Sequence, residues 1–276
     1  MSKLNPSFHI PVNQSTDSPL FLIMEMGKQM TSFLWYQLNP NRLAGLAVYQ
    51  FSKPMTDQDL VQLLETTEIL SVPVSQVHVL CDTHRMTLVP DTVDWTNQAT
   101  DCLDVLCGTD RNDVTLLNVV PARNLQVLYR LPQTWMTLIK ASFPSAQIQH
   151  SLRWQLAMNL PDQQDLHAFF TPQSIKLVLL QQQQLQVATN VLFQTASDAV
   201  YHLLHAMHEH GLQPNETTLH LSGLIEKGSP LFNEIQAYFP QIVFGKMEQD
   251  WNLPDAMNQF HQHYFSHLTQ LAACVS

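Results

Sequence analysis

The chain has 276 residues, of which 45% are hydrophobic and 13% charged, with a formal net charge of -10. That length suits one large domain or two ordinary ones, with enough apolar content for a core. An acidic chain without a basic run excludes nucleic-acid recognition through phosphates, and no stretch reaches the roughly 20 apolar residues that cross a bilayer.

The N-terminal stretch MSKLNPSFHIPVNQSTDSP has neither the apolar segment nor the small-residue cleavage site of a secretory signal. PLFLIME (19–25), MTSFLWYQL (30–38) and LAGLAVYQF (43–51) read as three strands with short links. TDQDLVQLLETTEIL (56–70) follows as a helix capped at Thr56, then QVHVLCD (76–82) as a strand. DVTLLNVVPARNLQVLYRLP holds two further strand-like runs, and QTWMTLIKASF (133–143) a helix.

The second half starts with three strands, DLHAFFT (165–171), SIKLVLLQQ (174–182) and LQVATNVLF (185–193), whose tight turns imply an antiparallel meander. Pro172 marks the first of those turns. The period then changes to 3.6 in TASDAVYHLLHAMHEHGL, with Ala199, Val200, Leu203, Leu204 and Met207 as its apolar stripe. Thr195 or Ser197 supplies the N-cap, and Gly211 ends the helix. TTLHLSG (217–223) is a strand, SPLFNEIQAYF (229–239) a helix capped by Ser229 with Pro230 first, and QIVFGK (241–246) a strand. The pattern β-β-β-α-β therefore occurs twice, offset by roughly 145 residues. We read it as two tandem RNase H-like domains, 1–150 and 151–276, the α/β architecture of the actin-like ATPases.

Three segments carry a family resemblance: MEMGKQMTSFLW, FFTPQSIKLVLLQQQQLQVATNVLFQTASDAVYHLLHAM and TLHLSGLIEKGSPLFNEIQAYFP. From about Pro19 to Lys246 the chain resembles an uncharacterised bacteroidete domain-of-unknown-function family, itself similar to actin, sugar kinases, chaperone ATPase domains and PilM-type pilus proteins. The resemblance implies a nucleotide held between two domains by an Asp-x-Gly turn in each. Glu25 and Gly27 stand where the first acid and glycine would be, with Lys28 as a point charge for phosphate. The matching turn of the second half, AFFTPQS, has no acid and no glycine, and Pro172 offers no amide. Gly223 retains the first glycine of the adenosine-side pair, with Leu224 in place of the second.

Only seven glycines occur and no two are adjacent, so no Walker or Rossmann fingerprint can be assembled. Cys81, Cys102, Cys107 and Cys274 lack zinc-site spacing and are expected to be reduced, in the cytoplasm. Cys81, Asp82, His84 and Arg85 sit together in VLCDTHRM; the expectation is a buried strand cysteine and a polar turn. His202, His205 and His208 lie opposite the apolar stripe, and His261, His263 and His267 cluster near the C-terminus; both groups are expected to bind no metal. QQQQ (181–184) is a solvated hairpin tip.

The expected function is a nonenzymatic scaffold or regulator acting through a protein partner, with no cofactor. The alternative is a divergent ATP-binding protein using Glu25, Gly27, Lys28 and Gly223 at the interdomain cleft. A metal-dependent enzyme built on the helical histidines is a third reading.

Overall fold

Strands that read as unbroken apolar runs belong in the middle of a sheet, covered on both faces. The computed structural model describes residues 4–13, 18–65, 72–157, 165–182, 184–247 and 250–274. In it β2 (Leu20–Gly27), β3 (Met30–Gln37) and β4 (Arg42–Gln50) are almost wholly buried. They form the antiparallel heart of a six-stranded sheet. Its order is β1-β4-β3-β2-β5-β9, with β1 at Phe8–Ile10, β5 at Gln76–Asp82 and β9 at Gln147–His150. β5 and β9 run parallel to β2.

Helix α1 (Asp57–Leu64) begins in a capping box, Thr56 accepting from the Asp59 amide and Asp59 accepting from the Thr56 amide. The expected helix continued to residue 70; residues 66–71 lie outside the described residues.

The middle of the first half departs from the repeat. β6 (Met86–Pro90), β7 (Asp113–Val120) and β8 (Leu125–Pro132) form a separate antiparallel sheet of order β6-β8-β7. Helix α2 (Ala99–Cys107) covers it, with Val89, Ala99, Leu103 and Leu128 as the buried centre. Arg130, 3% exposed, secures the helix end by donating to the Gly108 carbonyl (2.6 Å) and the Thr100 carbonyl (3.0 Å), and it pairs with Asp104. Positive charge at a helix C-terminus suits the helix dipole. Helix α3 (Gln133–Ser142) then leads to β9 and α4 (Ser151–Ala157).

The second sheet has the order β12-β11-β10-β13-β14. Its strands are β10 (Asp165–Phe170), β11 (Ser174–Gln181), β12 (Gln184–Leu192), β13 (Thr218–Gly223) and β14 (Ile242–Phe244). The first three form the expected meander and the last two run parallel to β10. This is the order of β4-β3-β2-β5-β9, so the duplication is one of topology.

Side chains alternate between the two faces of a strand. Leu166, Ala168, Phe170, Ile175, Leu177 and Leu221 meet helices α5 (Ala196–His208) and α6 (Pro230–Tyr238). Thr195 and Asp198 form the capping box of α5, and Ser229 caps α6 with Pro230 at its first position. Leu203 and Met207 of α5 are fully covered, each contributing roughly 1.5–3 kcal/mol by burial. Asp165, His167, Phe169, Lys176 and His220 fall on the other face. Helix α7 (Ser266–Cys274) follows near the end of the chain.

Among the described residues two compact units result, one of residues up to 153 with Asp250–Asn258, the other of residues 154–247 with Gln259–Cys274. No helix among the described residues is long and apolar enough to cross a membrane.

Candidate functional site

A phosphate-binding turn needs small residues and outward amides. In the first unit Glu25 lies inside β2, opposite Ser32 of β3 and Leu80 of β5, and is 3% exposed. Gly27 closes β2 and pairs with Asp82 of β5. A Cβ at Gly27 would sit 3.4 Å from the Asp82 Cβ and 3.5 Å from its Oδ2, so the glycine holds space in front of that carboxylate. Lys28 is exposed at the turn. Its carbonyl accepts from the Met55 amide (2.6 Å), and that of Gln29 from the Phe51 amide (2.8 Å), which fixes the turn against the segment after β4.

The turn has a basic border. Burial first, then Lys28 and Arg85, hold the His84 imidazole below its ordinary range. Arg85 pairs with Asp113 and lies 3.4 Å from Asp110. Burial raises the Asp113 carboxyl, with Arg85 and Lys28 opposing. The register thus joins Glu25, Gly27 and Lys28 to Asp82, which the sequence reading grouped only with its chain neighbours Cys81, His84 and Arg85. The equal phase of two parallel strands, MEMG and VLCD, was the signal for it.

Cys81 is buried, and burial first, then Asp82, pushes its thiol up to about 12. A thiol held that high is a poor nucleophile at neutral pH, which argues against Cys–His chemistry at this strand end.

In the second unit the turn between β10 and β11 closes on itself. The Thr171 amide donates to the Ser174 carbonyl (2.9 Å), and the Ser174 amide to Thr171 Oγ1 (3.0 Å). The two hydroxyls are 2.7 Å apart. Pro172 has no amide to offer. Lys176, the next cation along the chain, is 1% exposed with Nζ 4.3 Å from the centre of the Phe169 ring.

Gly223 ends β13 at φ +79, where a Cβ would lie 2.1 Å from the Phe170 carbonyl oxygen and 2.8 Å from the Phe169 ring. The next amide, Leu224, donates to that same carbonyl (2.8 Å). Contact between strand ends therefore accounts for this glycine without a ligand.

Most of the histidines in the two groups find separate partners, although His261 stacks on His263 with ring centres 5.5 Å apart. His202 contacts the Leu192 carbonyl (3.1 Å), and His205 stacks on Tyr201. His263 donates from Nε2 to the Ile225 carbonyl (2.7 Å), while His267 packs on Phe169 with ring centres 4.1 Å apart. Neither group forms a three-ligand cluster among the described residues.

Comparison with known proteins agrees with the topology. The family model described as "Protein of unknown function (DUF3822)" matches residues 11–242. No curated protein matches the chain. A solved Bacteroides thetaiotaomicron protein of actin-like ATPase fold and unknown function superposes with TM-score 0.76 at 16% identity, covering 94% of this chain and 99% of its own. The PilM-PilN type IV pilus biogenesis complex provides a chain at TM-score 0.63 and 12% identity, with 95% and 100% covered. The cytoplasmic domain of EpsL, from the type II secretion system of Vibrio cholerae, matches at 0.50 and 13%, with 93% and 96% covered. At such identities the likeness establishes the fold, which is that of the actin-like ATPases.

Proposed function

The chain belongs to the family of proteins of unknown function DUF3822, and from that premise we propose a nonenzymatic scaffold or regulator of actin-like fold that works by binding another protein. The observation that carries the reading is the Thr171–Ser174 turn. Two of its amides are bonded internally, a third position is proline, and no carboxylate stands in it. A pyrophosphate with magnesium requires outward amides and an ordering carboxylate.

The partner half of the proposal draws support from α2, where Val105 is 86% and Leu106 60% exposed. Large apolar side chains left in water are candidates for a contact surface. Two proteins of this fold, PilM in complex with PilN and EpsL of a secretion system, belong to assemblies. The four free cysteines support a reducing, cytoplasmic setting.

One observation favours the alternative of ATP binding. Asp82 provides a carboxylate beside Gly27, and Lys28 is exposed next to it. A thermal-shift series with ATP, ADP and magnesium on wild type and Gly27→Val separates the readings. The scaffold predicts that neither protein's melting temperature moves with nucleotide. A nucleotide-dependent rise that Gly27→Val removes overturns it in favour of ATP binding.

A further inference from the structure

On the face of the second sheet away from the α5–α6 core, three side chains with ligand atoms converge. Asp165 and His167 stand two residues apart on β10 and so project from one face. His220 on β13 is the direct parallel neighbour of His167. Their rings stack with centres 4.5 Å apart. One ligand atom from each residue lies within 4.8 Å of the other two.

We propose that Asp165, His167 and His220 form a binding site for a divalent first-row transition ion, best suited to zinc.

The polar atoms themselves suit a cation. Asp165 Oδ1, His167 Nε2 and His220 Nε2 are all buried without a hydrogen-bond partner. Asp165 Oδ1 and His220 Nε2 approach to 3.3 Å, yet they lack the alignment of a hydrogen bond. The Asp165 side chain is only 3% exposed. A carboxylate buried that deeply is costly unless a cation or donor compensates it.

Distances suit a metal. Bonds of about 2.0–2.1 Å in tetrahedral geometry place ligand atoms roughly 3.3–3.5 Å apart. The Asp165–His220 separation already has that value. The widest separation needs to close by at most roughly 1.5 Å.

His167 also borders a cavity of about 60 Å³, shared with Gln155, Lys176, Ser222 and His267. It has room for a water beside His167. Two imidazoles and one carboxylate disfavour Cu(I), which seeks sulfur, and Mg²⁺ or Ca²⁺, which seek oxygen. The site is independent of the nucleotide question and of the partner surface on α2.

The test titrates chelator-treated full-length protein with Zn²⁺ by calorimetry, and with Co²⁺ by visible absorption. Wild type is expected to take up one ion per chain, with cobalt bands of a low-coordinate nitrogen–oxygen site. His167→Gln and His220→Gln should each weaken uptake at least ~100-fold, with far-UV circular dichroism confirming the fold. Asp165→Asn provides a second, nearly isosteric check on the carboxylate. The double variant His202→Gln/His205→Gln should bind as wild type. The proposal is overturned if wild type takes up no zinc saturably, or if uptake survives in the three site variants.

Discussion

Replacing Gly223 with alanine tests whether strand-end packing, and not a ligand, sets that residue. The backbone there is at φ +79, and an L side chain in the left-handed region costs about 1–2 kcal/mol. The new Cβ would lie 2.1 Å from the Phe170 carbonyl oxygen and 2.9 Å from the Phe170 nitrogen. Both are backbone atoms of the neighbouring central strand, so relief requires β10 and β13 to part. Forced overpacking of this kind adds about 1–3 kcal/mol. The total is about 2–5 kcal/mol, or a fall in melting temperature of at least roughly 8 °C for a unit of this size. Urea and thermal unfolding followed by circular dichroism measure it without any ligand. Gly27→Ala is the internal contrast. Its Cβ meets nothing nearer than 3.4 Å and its φ is not left-handed, so its loss of stability should be well below that of Gly223→Ala. If Gly223→Ala unfolds like wild type, the packing account of this glycine is refuted.

Thr195→Ala removes the capping oxygen that accepts from the Asp198 amide, and should cost the second unit about 1 kcal/mol in urea unfolding. Cys81, buried with its thiol pushed up to about 12, should stay unreacted toward a thiol reagent at mildly alkaline pH in the native protein and react once unfolded. His263 is held below its ordinary value, chiefly by burial and further by His261, against the bond to Ile225. The unfolded chain therefore binds the proton first. Stability should decline as pH falls below about 6.5 toward the folded value. His263→Gln should flatten that limb in unfolding experiments between neutral and mildly acidic pH.

Much of the fold was readable because local chemistry and tertiary demand coincide. Thr56 and Ser229 cap the helices they were expected to cap, Thr195 of the two candidates Thr195 and Ser197 caps α5, and the apolar runs of β2 to β4 are central strands. Leu204 belongs to the apolar stripe of α5 but is only partly buried, while Ala206 takes a place in the core. Other elements carried little local information. β1 and β9 have three and four residues, and exist because β4 and β5 offer edges for pairing. β6 has only Val89 buried, and α2 only Ala99 and Leu103, too few to create a period. The return of Asp250–Asn258 to the first unit depends on long-range contacts such as the Leu43 amide donating to the Asn252 carbonyl (3.1 Å).

Sites were harder to read than elements for the same reason. Glu25, Gly27 and Lys28 are consecutive enough to be noticed, but Asp82 joins them only through the β2–β5 register. Asp165, His167 and His220 lie more than fifty residues apart at their extremes, and the β10–β13 register alone unites them. The histidines that looked clustered, on α5 and near the C-terminus, bring no three ligand atoms together among the described residues.

The central claim is that the fold has kept an actin-like architecture without the use of nucleotide. Titration calorimetry of the purified protein with magnesium-ATP tests it most directly. The account predicts no saturable heat up to millimolar nucleotide. Saturable binding in the micromolar range, abolished by Gly27→Val in a folded protein, would contradict it.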